Sequence, residues 1–214
     1  AENKYQYNKN KFSSGHQVEK YNQFIQESLG IDFKAGRLKI YNSSNAHPRK
    51  VPLLGLNPGA SYGSAKCWPY EKFVEVAVSL SCKFDILIFG GPDEVDLSNK
   101  IAQELRNKNC KNFSNLTGKT TIKDLVSYIS SLDIFITGDS GPMHIAAAFQ
   151  IPTVSIFGPT KVNETSQWMN NKSNIVKKEL NCQPCMKRVC PLEHHDCMKK
   201  ITSKEVICSA LSLI

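Results

Sequence analysis

From Val51 onward, short apolar runs alternate with amphipathic segments. The runs VPLLGLNPG, FDILIFGG, DIFITGD and PTVSIFGP are each closed by Gly, Pro or Asp, which is typical of strands that are buried on both faces of a parallel sheet. KNFSNLTG is a weaker candidate strand. The segments between the runs repeat apolar residues at helical spacing. Because strand and helix alternate, the sequence predicts an α/β fold with a Rossmann-like, doubly wound parallel sheet.

Residues 1–50 have a different character, rich in Asn, Gln, Lys and Ser. In HQVEKYNQFIQESLG, four apolar residues from Val18 to Leu29 fall on one face of a predicted helix, and Gly30 is placed to end it. NSSNAHPRK offers turn formers and no periodic face. This region is therefore predicted to be a short helix and a linker rather than a domain.

Composition narrows the class of protein. A chain of 214 residues with 41% hydrophobic and 21% charged residues has the make-up of a folded globular protein. The formal net charge of +8 favours anionic partners. No apolar run reaches the roughly 18 to 20 residues that span a bilayer, and AENKYQYNKNK lacks the apolar centre of a signal peptide. We therefore expect a cytoplasmic location.

The segment GDSGPMHIAAAF joins an apolar strand to an Ala-rich helix. Asp139 and Ser140 are natural N-cap residues, Pro142 suits the first helical turn, and His144 lies in that turn. Gly141 permits close backbone approach. Free amides and the helix dipole would point into the crevice at the sheet edge, where a diphosphate could bind. The alternative is that Asp139 or Ser140 only caps the helix and His144 is a surface residue.

Other strand ends carry small or acidic residues. In NPGASYGSAKCWP, a loop of small residues offers amide donors, and Lys66 adds a mobile positive charge. In GGPDE, Asp93 or Glu94 could hold ribose hydroxyls or serve only as first-turn helix acids. NLTGKTT and FGPT add two more turns, while the Walker A and GxGxxG patterns are absent. Strand-end turns in series predict a site for a nucleoside diphosphate.

In this order, NPGA…AKCWP, FGGPDE, NLTGKTT, GDSGPMHIAAA and PTVSIFGPT resemble the C-terminal domain of the ADP-heptose:lipopolysaccharide heptosyltransferases, glycosyltransferase family 9. The likeness spans about residues 51–165, and CQPCMKRVCPLEHHDCM resembles the heptosyltransferase II branch. The resemblance implies an enzyme of the two-domain GT-B type. Residues 51–214 would bind ADP-L-glycero-D-manno-heptose, and residues 1–50 would be a remnant of the N-terminal acceptor domain with the linker.

The resemblance also implies the reaction. Heptose would move with inversion to the inner core of lipopolysaccharide, with heptosyl-Kdo-lipid A as acceptor. The general base would lie in the N-terminal half, so this chain would be inactive alone. No essential metal and no cofactor beyond the donor substrate are implied, and a basic face could contact the inner leaflet of the inner membrane.

The family's site residues carry over to positions of this sequence. Lys66 would contact the diphosphate and stabilise the departing ADP, and Asp139 would hold sugar hydroxyls or backbone amides; these two are the implied catalytic residues. Glu94, or Asp93 beside it, would hold ribose, and Thr120 would meet the adenine edge. The implied donor-binding set is Gly59, Ala60, Ser61, Lys66, Glu94, Thr120, Asp139, Ser140, Gly141 and His144.

Four cysteines crowd into one segment: Cys182, Cys185, Cys190 and Cys197, with His194 and His195 beside them. The spacing allows a tetrahedral zinc site. Packed thiols, or disulfides formed after purification, are the alternative that we favour, because cytoplasmic disulfides are rare and the family's chemistry does not call for a metal.

Two rival functions remain at this point. A GT-B transferase or sugar-nucleotide epimerase that uses a UDP-sugar would share strand-end nucleotide binding. A basic, zinc-bearing nucleic-acid-binding module would explain the net charge and KKELNCQPCMKRVC, but no aromatic-rich basic stripe accompanies them. We therefore expect no nucleic-acid partner.

Overall fold

The parallel sheet predicted from the apolar runs is present in the computed structural model, which describes residues 6–8, 11–12, 15–41 and 49–214. The strands are β1 Leu53–Asn57, β2 Asp85–Ile88, β3 Phe113–Asn115, β4 Ile134–Gly138, β5 Thr153–Phe157 and β6 Ser173–Lys177. All neighbouring pairs are parallel. The predicted α/β class is confirmed, and so is the strand in KNFSNLTG. Most of the predicted linker NSSNAHPRK, residues 42–48, lies outside the described residues.

Helices connect the strands. They are α1 Gln17–Leu29, α2 Tyr70–Leu80, α3 Val95–Asn107, α4 Ile122–Ser130, α5 Gly141–Ala148, α6 Val162–Thr165, α7 Asp196–Lys199 and α8 Ser203–Leu211. Two 3₁₀ turns, Ser64–Lys66 and Pro92–Glu94, follow β1 and β2. Within the described residues, each helix falls short of the length or the apolar character that a bilayer-spanning helix needs.

The spatial order of the strands is β3-β2-β1-β4-β5-β6, which is the order found in dinucleotide-binding sheets. The chain winds outward from β1 to β3 and then returns to β4, which pairs with the other side of β1. The loops that leave β1 and β4 therefore diverge and open a crevice at the carboxyl edge of the sheet. Such a switch point is where open α/β sheets bind ligands.

The core lies on both faces of this sheet. Ile134 and Ile136 of β4 belong to a cluster that includes residues of α2, α3 and α8, whereas Phe135 between them belongs to a second cluster with Ile129 of α4 and Ala146 of α5. Consecutive strand residues point to opposite faces. Because both faces are covered, most residues of the central strands are apolar, and the sequence therefore shows apolar runs at these strands.

Helix α1 forms where its sequence predicts it. His16 accepts a hydrogen bond from the backbone amide of Val18 at 3.2 Å, and the Glu19 carboxylate accepts one from the amide of His16 at 2.7 Å. The helix ends at Gly30, whose φ of 66° places it in the left-handed region. The N-terminal segment thus carries its own start and stop signals.

This helix contacts the sheet domain through polar groups rather than its apolar face. Lys20 is buried and pairs with Glu164 at 3.5 Å, and His16 Nε2 bonds to the carbonyl of Ser166 at 2.9 Å. Tyr21 and Leu29, on the predicted apolar face, are 51% and 58% exposed. Tyr21 packs edge-on against Tyr7, with 5.2 Å between the ring centroids, so this face is only partly covered within the described residues.

Gly55, at the centre of β1, is packed closely against two side chains of the core. A Cβ added at Gly55 would lie 2.4 Å from Leu132 Cδ1 and 2.7 Å from Phe135 Cδ2. We expect Gly55→Ala to lower the free energy of unfolding by about 1–3 kcal/mol through overpacking. Gly36→Ala is the matched control, because an added Cβ there meets nothing within 4 Å. Urea unfolding measures both, and equal midpoints for the two variants would contradict this packing.

Candidate functional site

A cavity of about 630 Å³ opens at the switch point, at the carboxyl ends of the first four strands. Asn57 at the end of β1, the turns after β2 and β3, and the start of α5 meet around it. Seven of the predicted donor-binding residues line it: Gly59, Ala60, Ser61, Glu94, Thr120, Ser140 and Gly141. The other three, Lys66, Asp139 and His144, are not among its lining residues, although Asp139 immediately precedes Ser140. The predicted residues therefore form a lined cavity and a polar group beside it.

The start of α5 faces this cavity without a side-chain cap. Ser140 occupies the N-cap position, as predicted, but its hydroxyl lies 3.0 Å from Thr137 Oγ1 and accepts a bond from Asn57 Nδ2 at 3.3 Å. The alternative in which Asp139 or Ser140 caps the helix through its side chain is therefore wrong. The first-turn amides and the positive end of the helix dipole are left to attract an anion.

Lys66 and Asp139 form an ion pair beside the cavity. Lys66 Nζ lies 2.6 Å from Asp139 Oδ2 and donates a second bond to the Asp139 carbonyl at 3.2 Å. Thr160 Oγ1 donates to the same carboxylate oxygen at 2.7 Å. The Lys66 side chain is only 12% exposed and that of Asp139 5%. The expectation of a mobile charge at Lys66 is therefore wrong, because the ammonium is held by the end of β4.

Glu94 lies between the turns that follow β1 and β2. Its carboxylate accepts a bond from the amide of Gly91 at 2.7 Å. A Cβ added at Gly59 would come within 2.0 Å of the same carboxylate, so a larger residue there would displace the Glu94 side chain. Asp93 also lines the cavity but is exposed. Glu94 thus acts as a first-turn acid and faces the cavity as well, so the two interpretations of this residue are compatible.

His144 is half-buried in the first turn of α5. Burial is the main cause that lowers its pKa below the usual value of 6.5. Asp139 opposes this pKa shift, whereas His16 and Lys66 add to it. The imidazole is therefore neutral at pH 7, and it can exchange hydrogen bonds but supplies no positive charge.

Sequence reasoning missed several residues around the cavity. Pro92, Leu97, Ile122 and Leu125 form an apolar wall next to Thr120. Ile122 is 80% exposed, although α4 begins with it. An exposed isoleucine beside a cavity can stack on a flat apolar ring. The position of Ile122, directly after the turn NLTGKTT at the carboxyl edge of the sheet, could have indicated that it lines the cavity.

The cysteine-rich segment supports the loop that bears Lys66. The amide of Ala65 donates to the carbonyl of Arg188 at 3.0 Å, and His195 Nε2 lies 2.9 Å from the carbonyl of Ala65. The hydroxyl of Tyr62 donates to the carbonyl of Met186 at 2.8 Å. The loop after β1 is therefore braced from outside the sheet by a segment more than a hundred residues later in the chain.

The four clustered cysteines are free thiols that converge on one small cavity. Its volume is about 20 Å³, and Cys182, Cys185, Cys190 and Cys197 line it together with both histidines of the segment. Burial, followed by the neighbouring thiols, raises the pKa of Cys197 to about 11. Among the described residues, no three or more His, Cys, Asp or Glu side chains are arranged to hold a metal ion. Free thiols packed around a small cavity are the state that the structure shows for this segment.

Comparison with known proteins assigns the chain to a family. The sequence model for glycosyltransferase family 9 (heptosyltransferase) matches residues 3–195. The chain belongs to glycosyltransferase family 9. It is 47% identical over 218 residues to lipooligosaccharide heptosyltransferase 2 of Campylobacter jejuni, an alignment that covers 99% of this chain and 68% of that protein. The family resemblance in the strand-end motifs is thereby confirmed.

Solved structures of family 9 and related proteins share the fold. E. coli ADP-heptose lipopolysaccharide heptosyltransferase II is 26% identical with a TM-score of 0.67, and the match covers 78% of this chain and 47% of that one. A family 9 glycosyltransferase from Veillonella parvula has a TM-score of 0.79 at 19% identity, over 97% of this chain and 61% of that one. The chain thus spans about half to two thirds of the length of these relatives.

The neutral state of His144 can be measured by NMR. We expect its ring to titrate with a midpoint below 6.5, because burial disfavours the imidazolium. Lys66→Met should raise that midpoint by removing a nearby positive charge, whereas Lys83→Met, at the opposite edge of the sheet, should leave it unchanged. His144→Gln identifies the resonance. A midpoint at or above 6.5 in the unmodified chain would show that the ring is not desolvated as described.

The raised pKa of Cys197 predicts slow alkylation. A thiol with a pKa of about 11 carries little thiolate at pH 8, and the thiolate is the nucleophile. Iodoacetamide should therefore modify the exposed Cys82 and Cys208 well before Cys197. Mass spectrometry of peptides from timed samples measures the order, with urea-unfolded chain as the control in which all sites react. Equal rates in the folded chain would contradict the burial of Cys197.

Proposed function

We propose that this chain is the donor-binding part of an inverting heptosyltransferase. In this proposal, residues 51–214 bind ADP-L-glycero-D-manno-heptose, and residues 1–50 belong to the linker and the acceptor half. The heptose goes to the inner core of lipopolysaccharide, heptosyl-Kdo-lipid A. The observation that carries the proposal is the cavity at the switch point of this family 9 chain. Turns of small residues line the cavity, and the start of α5 faces it without a side-chain cap.

The parts of ADP match the parts of the cavity. The apolar wall around Ile122 suits the adenine ring, with Thr120 at its edge. Glu94 is placed to accept hydrogen bonds from ribose hydroxyls. The amides of the first turn of α5 suit the diphosphate, because the N-cap residue makes no side-chain cap there. A volume of about 630 Å³ lies within the range of small-molecule sites.

The heptose is assigned to the polar group beside the cavity. Both side-chain bonds to the Asp139 carboxylate, from Lys66 and Thr160, fall on Oδ2. Oδ1 is therefore available, within the described residues, to accept a bond from a sugar hydroxyl. A carboxylate would repel a phosphate, so the sugar is the better partner for Asp139.

The proposed chemistry depends on the leaving group. As the bond between the sugar and the diphosphate breaks, negative charge grows on the diphosphate. Preorganised amides and the Lys66 ammonium stabilise that charge more in the transition state than in the ground state. The base that activates the acceptor hydroxyl would come from the half of the enzyme that precedes these residues. This chain alone would then bind donor and transfer nothing.

The acceptor defines where the enzyme works. A lipid that carries phosphates lies in the inner leaflet of the inner membrane, and the chain's formal net charge of +8 favours contact with such a surface. We therefore propose a cytoplasmic enzyme that touches the membrane peripherally. No nucleic acid is involved in this proposal.

Calorimetry with ADP tests the donor site. We expect ADP to bind more tightly than UDP, and Lys66→Ala to weaken ADP binding by about 10- to 100-fold, since a charge-assisted hydrogen bond contributes about 1.5–3 kcal/mol. Lys83→Ala removes an exposed lysine that precedes β2, at the edge opposite the cavity, and should bind ADP as the unmodified chain does.

Three results would contradict parts of the proposed function. Tighter binding of UDP would transfer the chain to the UDP-sugar class of GT-B enzymes. Absence of ADP binding at millimolar concentration would remove the donor site from this cavity. Heptose transfer by the chain alone would mean that the general base lies within these residues.

A further inference from the structure

The proposed diphosphate site lacks positive charge among the residues already assigned to it. ADP carries at least two negative charges, and the acids Asp93 and Glu94 line the cavity that would receive it. Of the described residues, no Lys or Arg lines that cavity. Lys66 lies beside it, but its charge is compensated by Asp139 at 2.6 Å. His144 is neutral, because burial lowers its pKa. A further cation is needed to offset the charge of the ligand.

Arg188 is the cation that the fold brings to this place. Its guanidinium carbon lies 5.4 Å from the centre of the Tyr62 ring, and Lys66 Nζ lies 4.6 Å from the same ring centre. Tyr62 stands between Ser61 and Gly63, which both line the cavity. Arg188 forms no ion pair within the described part of the chain, and the residue is exposed. Its charge is therefore uncompensated, unlike that of Lys66.

The position of Arg188 is built into the fold. Its carbonyl accepts a bond from the amide of Ala65 at 3.0 Å. At Gly63, where φ is 146°, an added Cβ would lie 2.4 Å from the same carbonyl oxygen. The cysteine-rich segment is thus packed against the loop after β1 at the residue that carries the guanidinium. An arginine on a loosely attached surface loop would not be held in this way.

We propose that Arg188 binds the diphosphate of the donor and supplies the uncompensated positive charge that the Lys66–Asp139 pair does not. This inference rests on the proposed function and names an additional residue of the same site. The planar guanidinium can donate two parallel hydrogen bonds to phosphate oxygens, and it can keep its stacking on Tyr62 while it does so. The cysteine-rich segment then contributes directly to donor binding.

A ligand series separates this role from a structural one. Adenosine, AMP and ADP are titrated by calorimetry into the unmodified chain, Arg188→Ala and Lys187→Ala. We expect Arg188→Ala to weaken ADP binding about 10- to 100-fold, the fold-change that corresponds to one charge-assisted hydrogen bond, and to leave adenosine binding unchanged. Lys187→Ala removes the same charge from the neighbouring exposed residue and should change ADP affinity less than about twofold. Arg188→Lys should recover part of the loss.

The outcomes distinguish this inference from the function on which it rests. If Arg188→Ala matches Lys187→Ala while Lys66→Ala still weakens ADP, the role of Arg188 is overturned and the donor site stands. If adenosine binding falls with Arg188→Ala, the residue acts on the shape of the site, and the inference is again overturned. If the unmodified chain binds none of the three ligands, the proposed function fails first. Thermal unfolding of each variant confirms that it is folded.

Discussion

The parallel alignment of the strands is the constraint on which the site depends. Because every neighbouring pair is parallel, each strand delivers its following turn to the same edge of the sheet. The reversal of winding between β1 and β4 then separates two of these turns and opens the cavity between them. The residues that line it are distant in sequence, and no local interaction collects them. The topology alone brings Gly59, Glu94, Thr120 and Ser140 together.

Charge balance is the second organising feature. The Lys66–Asp139 pair is almost fully buried, and Thr160 from the turn after β5 adds a hydrogen bond to the same oxygen. The pair links the loop after β1 to the end of β4. It therefore fixes the distance between these two sides of the cavity. The same pairing offsets part of the positive charge that Lys66 can present to a bound anion. A site for a polyanion must then draw its attraction from amides, a helix dipole and a cation elsewhere.

Much of this arrangement could be predicted from the sequence, for identifiable reasons. Strands covered on both faces leave continuous apolar runs, so β1 to β5 were predictable, whereas β6 was not, since its residues SNIVK at the sheet edge mix polar and apolar side chains. The small and polar residues of the turns indicated where the strands end. Because these turns surround the cavity, most of its lining residues were predictable as well. The partners of Lys66, the bracing of its loop by Arg188, and the docking of α1 through Lys20 are long-range contacts between polar groups. Periodicity and spacing carry no information about such pairs.

The brace between Ala65 and the cysteine-rich segment has a consequence for stability. That segment follows the last strand and is joined to the sheet by few regular hydrogen bonds, yet it bonds to both the amide and the carbonyl of one residue in the loop after β1. Opening of the tail would therefore release that loop, so the two form one cooperative unit for local unfolding. A molecule that binds the loop after β1 would therefore also slow hydrogen exchange and proteolysis in the cysteine-rich segment, without contacting that segment.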